Sequence, residues 1–263
     1  MKRILLISFL GLCFAPLSAQ SSRFLATLVD SLPGDKPVLV QLPVDSGFMA
    51  VERVALSKNG RTLYYGVRNG YDSTSIAQIR SLSFRKKQWQ ASEIVFGDSS
   101  GAPALSADNR TMYFQYDHPV SPQGLYSLKS GKAWATPLPF IDSLKKSHYL
   151  QSPRENVFYY SASLDGKEKR QDIFRGEINE RDTTIKRMGY QLNGDFADFF
   201  VARDESFVIL IISQAKNKDA YFFHGKLDLF ISFKTAENAW TRPLNLGKHI
   251  NGLSEWTWGP YVT

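Results

Sequence analysis

The sequence predicts an all-β chain, a β-propeller of four-stranded antiparallel blades, on three observations. A nine-residue pattern, turn residues and then an aromatic-rich run, begins at Ser57, Ser106, Ser152 and Ala202, starts that are 49, 46 and 50 residues apart. That spacing sits at or slightly above the blade period of about 40–50 residues. Each pattern is followed by further short strand-like runs set off by turns. Finally, Phe207-Val-Ile-Leu-Ile-Ile212 is apolar throughout, and Leu63-Tyr-Tyr65 and Val157-Phe-Tyr-Tyr160 nearly so. A strand covered on one face alternates, as does a membrane barrel strand, so these strands need cover on both faces. Stacked blades supply it, because a single repeat cannot bury its own faces.

The chain opens outside the fold. Lys2 and Arg3 precede an apolar run, Ile4 to Leu12, and Leu17-Ser-Ala19 places small residues before Gln20. This pattern predicts a secretory signal over residues 1–19 and one propeller domain over 20–263. The run is too short to span a bilayer, and no later stretch nears the roughly twenty apolar residues of a membrane helix. Cys13 is the sole cysteine and leaves with the signal; Leu12 is bulky where lipoprotein processing takes a small residue. The expected product is periplasmic or secreted, without disulfides or thiolate metal sites.

The 32 basic and 25 acidic residues of the chain lose Lys2 and Arg3 on processing. A surplus of about five cations remains, spread along the sequence. Its densest clusters, Arg85-Lys86-Lys87 and Lys167-Glu-Lys-Arg170, fall at predicted turns and read as solvated hairpin tips; nucleic acid is not an expected partner. His118, His148, His224 and His249 are far apart and form no metal-binding spacing, so neither metal nor cofactor is expected.

Within the second unit, Ala102 to Leu105 enters a turn at Ala107-Asp-Asn109, where Asp and Asn tolerate left-handed geometry. Thr111 to Tyr116 forms the second strand, Leu125 to Leu128 the third and Trp134 to Phe140 the fourth. Third strands recur at Ile76 to Leu82, Asp172 to Phe174 and Asp228 to Ile231. Fourth strands recur at Trp89 to Phe96, Thr184 to Tyr190 and Trp240 to Leu246. Prolines in the Trp134 and Trp240 segments lack a ladder donor, which puts the fourth strand at the outer edge. Phe24 to Val29 and Pro37 to Leu42 add two strand-like pieces, and Gly259 to Val262 is an orphan first strand. Pairing these in a composite closure blade gives five blades with no open edge; the alternative is an incomplete six-bladed ring.

Units with a Ser-Pro-Asp-Gly-like start, an aromatic strand, Asp-Ile/Leu-Phe and a late tryptophan resemble the TolB-type, WD-like propeller repeat of exported bacterial proteins. The matching residues are Ser57 to Tyr65, Ser106 to Phe114, Ser152 to Tyr160, Ala202 to Leu210, Asp172 to Phe174, Asp228 to Phe230 and Trp240. Lys226 to Phe233 followed by Asn245-Leu-Gly-Lys-His-Ile-Asn251 resembles the small exported members found in Bacteroidetes. Relatives of this kind continue beyond the point matching Thr263 into another aromatic strand.

Candidate chemistry is sparse. Gly97-Asp-Ser-Ser-Gly101 spells a nucleophile elbow, but Pro103 and an apolar strand follow where the elbow needs a helix. Ser163-Leu-Asp-Gly166 approaches a sialidase box without its tryptophan. Glu52, Asp198 and Glu255 each precede an innermost strand and could ring the channel mouth, as ligand contacts or as caps of strand ends. Trp256 and Trp258 alternate onto one face, for closure packing or for stacking on a sugar or peptide, and His118 offers a polar loop contact. Asp30-Ser-Leu, Asp72-Ser-Thr, Asp142-Ser-Leu and Asp182-Thr-Thr fit the O-glycosylation acceptor pattern of the resembled phylum, and also fit ordinary turns.

The expectation is a monomeric, non-enzymatic envelope scaffold that binds a protein, peptide or glycan at the channel mouth. The alternative is a glycan-active hydrolase or lyase using carboxylates there.

Overall fold

The computed structural model describes residues 42–72, 74–90, 92–97, 99–116, 123–131, 133–140, 147–163, 171–179, 182–188, 198–214, 221–237, 239–252 and 259–260. Their strands form four antiparallel sheets in chain order, each an up-and-down meander. The first holds β1 (Met49–Leu56), β2 (Thr62–Arg68) and β3 (Ala77–Arg85), with β4 (Gln88–Trp89) and β5 (Glu93–Phe96) sharing the outer position. The second holds β6 (Ser100–Leu105), β7 (Thr111–Tyr116) and β8 (Gln123–Ser130), with β9 (Ala133–Trp134) and β10 (Leu138–Pro139) outside. The third runs β11 (Ser147–Arg154), β12 (Val157–Ser163), β13 (Gln171–Ile178) and β14 (Thr183–Arg187). The fourth runs β15 (Phe199–Val201), β16 (Phe207–Ser213), β17 (Leu227–Phe233) and β18 (Leu244–Asn245), then a helical turn α1 (Lys248–Asn251).

Burial explains the stacking. Along β16, Val208, Leu210 and Ile212 join the cluster shared with Tyr159 and Ile173 of the third blade, while Ile209 and Ile211 face the opposite side with Leu229 and Ile231. Both faces are dry, as the unbroken apolar run requires. Aromatic contacts fill the other joints: Phe96 stacks on Phe114 at 4.6 Å between the first two blades, and Phe140 meets Phe158 edge-on at 4.9 Å between the second and third. Inner strands β1, β6, β11 and β15 touch in that order, which lays them around an axis.

The repeated pattern is a turn device. Ser57 Oγ donates to Asn59 Oδ1 (2.9 Å) and accepts from the Thr62 amide (2.9 Å). Ser106 repeats this with Asp108 (2.6 Å) and Thr111 (2.9 Å). Each turn then needs one left-handed residue, supplied by Gly60, Asn109, Asn156 and Glu205. The segment from Asn245 to Asn251 is a clamp as well. Asn251 is fully buried and exchanges both amide hydrogen bonds with Leu229, at 2.8 and 2.9 Å, extending the sheet with a side chain.

The fourth strand departs from expectation. The runs Trp89 to Phe96 and Trp134 to Phe140 are each split in two, and Trp240 to Leu246 is reduced to a bridge at Trp240 and the two residues of β18. Pro137, Pro139 and Pro243 interrupt the ladder donors in the latter two. The closure pieces at 24–29 and 37–41, and residues 261–263, lie outside the described residues. Leu42 and Phe48 pack on the outer face of the first blade.

Candidate functional site

At the turn-bearing end of the axis the four inner strands enclose a cavity of ≈ 60 Å³, lined by Arg53, Asn109, Gln151, Phe199, Arg203 and Pro260 among others. That volume holds a few water molecules or the tip of one side chain. One wall is pinned by Arg53, a cation placed within the innermost strand of the first blade. Its Nε donates to Asp198 Oδ1 at 2.6 Å, Nη1 to the Leu150 carbonyl at 3.2 Å and Nη2 to the Phe199 carbonyl. One guanidinium thus ties the first, third and fourth blades together. It also lies over the rings of Tyr149 and Phe199, at 5.0 and 4.9 Å.

Asp198 is 1% exposed and its carboxylate faces Arg53. Burial pushes its carboxyl above the ordinary range, while Arg53 and the amides of Phe199 and Gly259 oppose that shift. Asp198 stands behind the cavity wall, outside the lining. Gln151 seals the next joint, donating to the Val201 carbonyl (2.9 Å) and accepting from its amide (2.8 Å). Arg203 at the mouth is exposed.

Beside the axis, between the third and fourth blades, Glu205 gathers a second constellation. It occupies the left-handed turn position at φ 57°, where a long side chain is uncommon, and is 4% exposed. Its carboxylate accepts from Arg154 Nε (2.8 Å), Arg175 Nε (2.7 Å) and the Tyr159 hydroxyl. Burial acts to raise its carboxyl, but the Arg175, Tyr159 and Arg154 hydrogen bonds win and hold it at about 2. Burial and the Glu205 charge together push the Tyr159 hydroxyl up. Here the turn device has become an interblade rivet.

Of the residues singled out in the sequence, Glu52 lies on β1 at a register shift between Val51 and Val54. His118, Glu255, Trp256 and Trp258 lie outside the described residues. Arg53, Gln151, Arg203 and Glu205 escaped sequence reasoning; a cation inside an innermost strand and a glutamate where other turns carry Gly or Asn were the available signals. Ser99 of the elbow-like pentapeptide sits in the link between β5 and β6, ahead of a strand. Asp72 accepts from the Thr74 amide (2.9 Å) and hydroxyl (2.7 Å), which accounts for that acceptor-like triplet as a turn. Among the described residues no group of three His, Cys, Asp or Glu is placed to hold a metal ion, and no helix is long and apolar enough to cross a membrane.

TolB from Acinetobacter baumannii superposes with a TM-score of 0.52 at 14% identity, over 75% of this chain and 43% of that one. A protein described as TolB from Agrobacterium tumefaciens gives 0.53 at 12% identity, over 75% and 65%. The chain folds as a TolB-like β-propeller. It spans about half the length of these structures, so the likeness concerns the blades they share. An oligogalacturonate lyase from Vibrio parahaemolyticus aligns at 0.48 and 10% identity, over 76% of this chain and 55% of that one. No protein-family model matches the sequence, and no curated protein matches it. In the TolB-like frame the axial cavity and the Glu205 rivet share the side that carries the inner turns.

Proposed function

We propose that this TolB-like propeller is a binding scaffold of the cell envelope, exported after removal of residues 1–19 and engaging a protein, peptide or glycan partner at the axial mouth. The observation that carries the reading is the Arg53–Asp198 pair behind a cavity of ≈ 60 Å³. A mouth this small accepts a partner's side-chain tip, with exposed Arg203 and half-buried Asn109 at its edge. A peptide or protein partner fits that geometry best, and the chain acts as a monomer. In the alternative, a glycan-active enzyme with paired carboxylates, Asp198 is the one proposed carboxylate whose side chain is described, and it is committed to Arg53.

The test is capture of partners from envelope extract by the wild-type chain and by Arg203→Glu, beside incubation with an acidic and neutral oligosaccharide panel. The proposal predicts a specific partner whose yield drops several-fold in the variant, because a reversed rim charge slows association with a partner of opposite charge. New reducing ends or unsaturated sugar products from the panel would replace it with the enzyme reading.

A further inference from the structure

The hairpin joining β3 to β4 carries two consecutive left-handed residues, Lys86 at φ 52° and Lys87 at φ 64°. Arg85 and Gln88 pair across it, so this is a two-residue turn with both central φ positive, a type normally filled by Asn-Gly. Left-handed geometry costs a side chain about 1–2 kcal/mol per residue, yet both positions are lysine.

One backbone bond recurs in every blade and fixes where this tip points. The Phe84 amide donates to the Arg61 carbonyl (2.7 Å), Lys129 to Arg110 (2.8 Å), Ile178 to Asn156 (2.8 Å) and Lys234 to Ser206 (2.8 Å). Inner turns and third-strand ends therefore share one side of the molecule. Charge on that side is uneven. The first two blades present exposed Lys58, Arg85, Lys86, Lys87, Arg110 and Lys129. Among the described residues of these turns the one acid is Asp108, held by Ser106 Oγ (2.6 Å) and the Arg110 amide (2.9 Å). The other two blades present exposed Glu155, Asp182, Asp204 and Glu237 on the same side against exposed Arg203 and an Arg154 that is paired with Glu205.

Between the cationic blades opens a cleft of ≈ 420 Å³, lined by Ser57, Lys58, Asn59, Asp108, Asn109 and Lys129 among others. Its size falls within the range of ligand sites, about 300–1,000 Å³. We propose that this cationic half of the turn side docks an acidic segment of a partner polypeptide, whose carboxylates pair with the lysines around the cleft. A polypeptide fits because the cations stand on separate hairpin tips, where individual side chains can reach them. The neighbouring aromatic rings are half-buried and engaged by the protein's own side chains: Phe84 meets Trp89 at 5.4 Å, and Trp134 meets Tyr64 at 5.9 Å and carries Lys129 Nζ 5.4 Å from its ring centre. A sugar ring or a base would call for such rings as an open stacking platform. The surface is separate from the axial cavity, sharing only Asn109 with it, so either site can fail without the other.

Fluorescence anisotropy of a labelled Asp/Glu-rich dodecapeptide with the purified full chain tests this, with oligogalacturonate and phosphatidylglycerol vesicles as rival ligands. The expected result is saturable binding at about 50 mM salt, weakened about tenfold at about 200 mM. Lys58→Glu/Lys129→Glu should weaken it about tenfold, while the equally charged control Lys186→Glu/Lys248→Glu stays within about twofold. Lys86→Asn/Lys87→Gly removes charge while relaxing the turn, so it should bind more weakly yet melt higher, which separates docking from misfolding. Absence of binding at low salt, equal loss in the control pair, or tighter binding of the glycan or the vesicles overturns the proposal.

Discussion

Glu205 and Arg53 join blades through buried charges. The Glu205 carboxyl is held at about 2, against an ordinary value of 4.5. A depressed carboxyl adds stability above its unfolded value and loses it as pH falls through the folded one. Melting temperature should therefore decline between pH 4.5 and about 2, and Glu205→Gln should flatten that decline while lowering stability at pH 7; an unchanged profile in the variant would count against the rivet. Arg53 is buried, at 5% exposure. Arg53→Ala leaves Asp198 unpaired in a dry site and should cost about 3–5 kcal/mol by urea unfolding, whereas an exposed pair costs at most about 1 kcal/mol. Neither residue was legible in its role from the sequence, because Arg53 meets a partner 145 residues away and Glu205 reaches back 46 residues to Tyr159.

Elements were legible where their chemistry is local. Ser57 and Ser106 with the Asn or Asp two residues later build turns from neighbouring atoms, and β7 and β16 follow from runs rich in β-branched and aromatic residues. The outer strand was less legible, since its pairing depends on which carbonyls of β8 and β17 remain open after Pro137 and Pro243 withdraw donors. One glycine shows how tightly the elements fit. Gly176 of β13 pairs with Phe158, and a Cβ there would lie 2.0 Å from the ring. Gly176→Ala should displace Phe158 from its edge contact with Phe140 and cost about 1–3 kcal/mol by thermal or urea melts. The β3–β4 hairpin offers the opposite sign. Lys86→Asn/Lys87→Gly should raise stability by about 1–2 kcal/mol by relieving two left-handed lysines, and no gain would mean that the turn is relaxed as it stands.

At the scale of the molecule, the innermost strands converge on a few polar groups, Arg53, Asp198 and Gln151, that hydrogen-bond from blade to blade. The blade architecture was visible in the repeat because stacking demands apolar strands on a fixed period. The site was not, because each blade contributes one or two side chains and their meeting depends on ring geometry rather than on any local pattern. In the proposed function, partners approach the turn-bearing side at the axial mouth. A photo-crosslinking residue placed at Arg203, with Lys248 as the control position, measures this directly in the cells that make the protein. One discrete crosslinked partner is expected from position 203 and none from 248; crosslinking from 248 alone, or from neither position, would contradict an approach at the axial mouth.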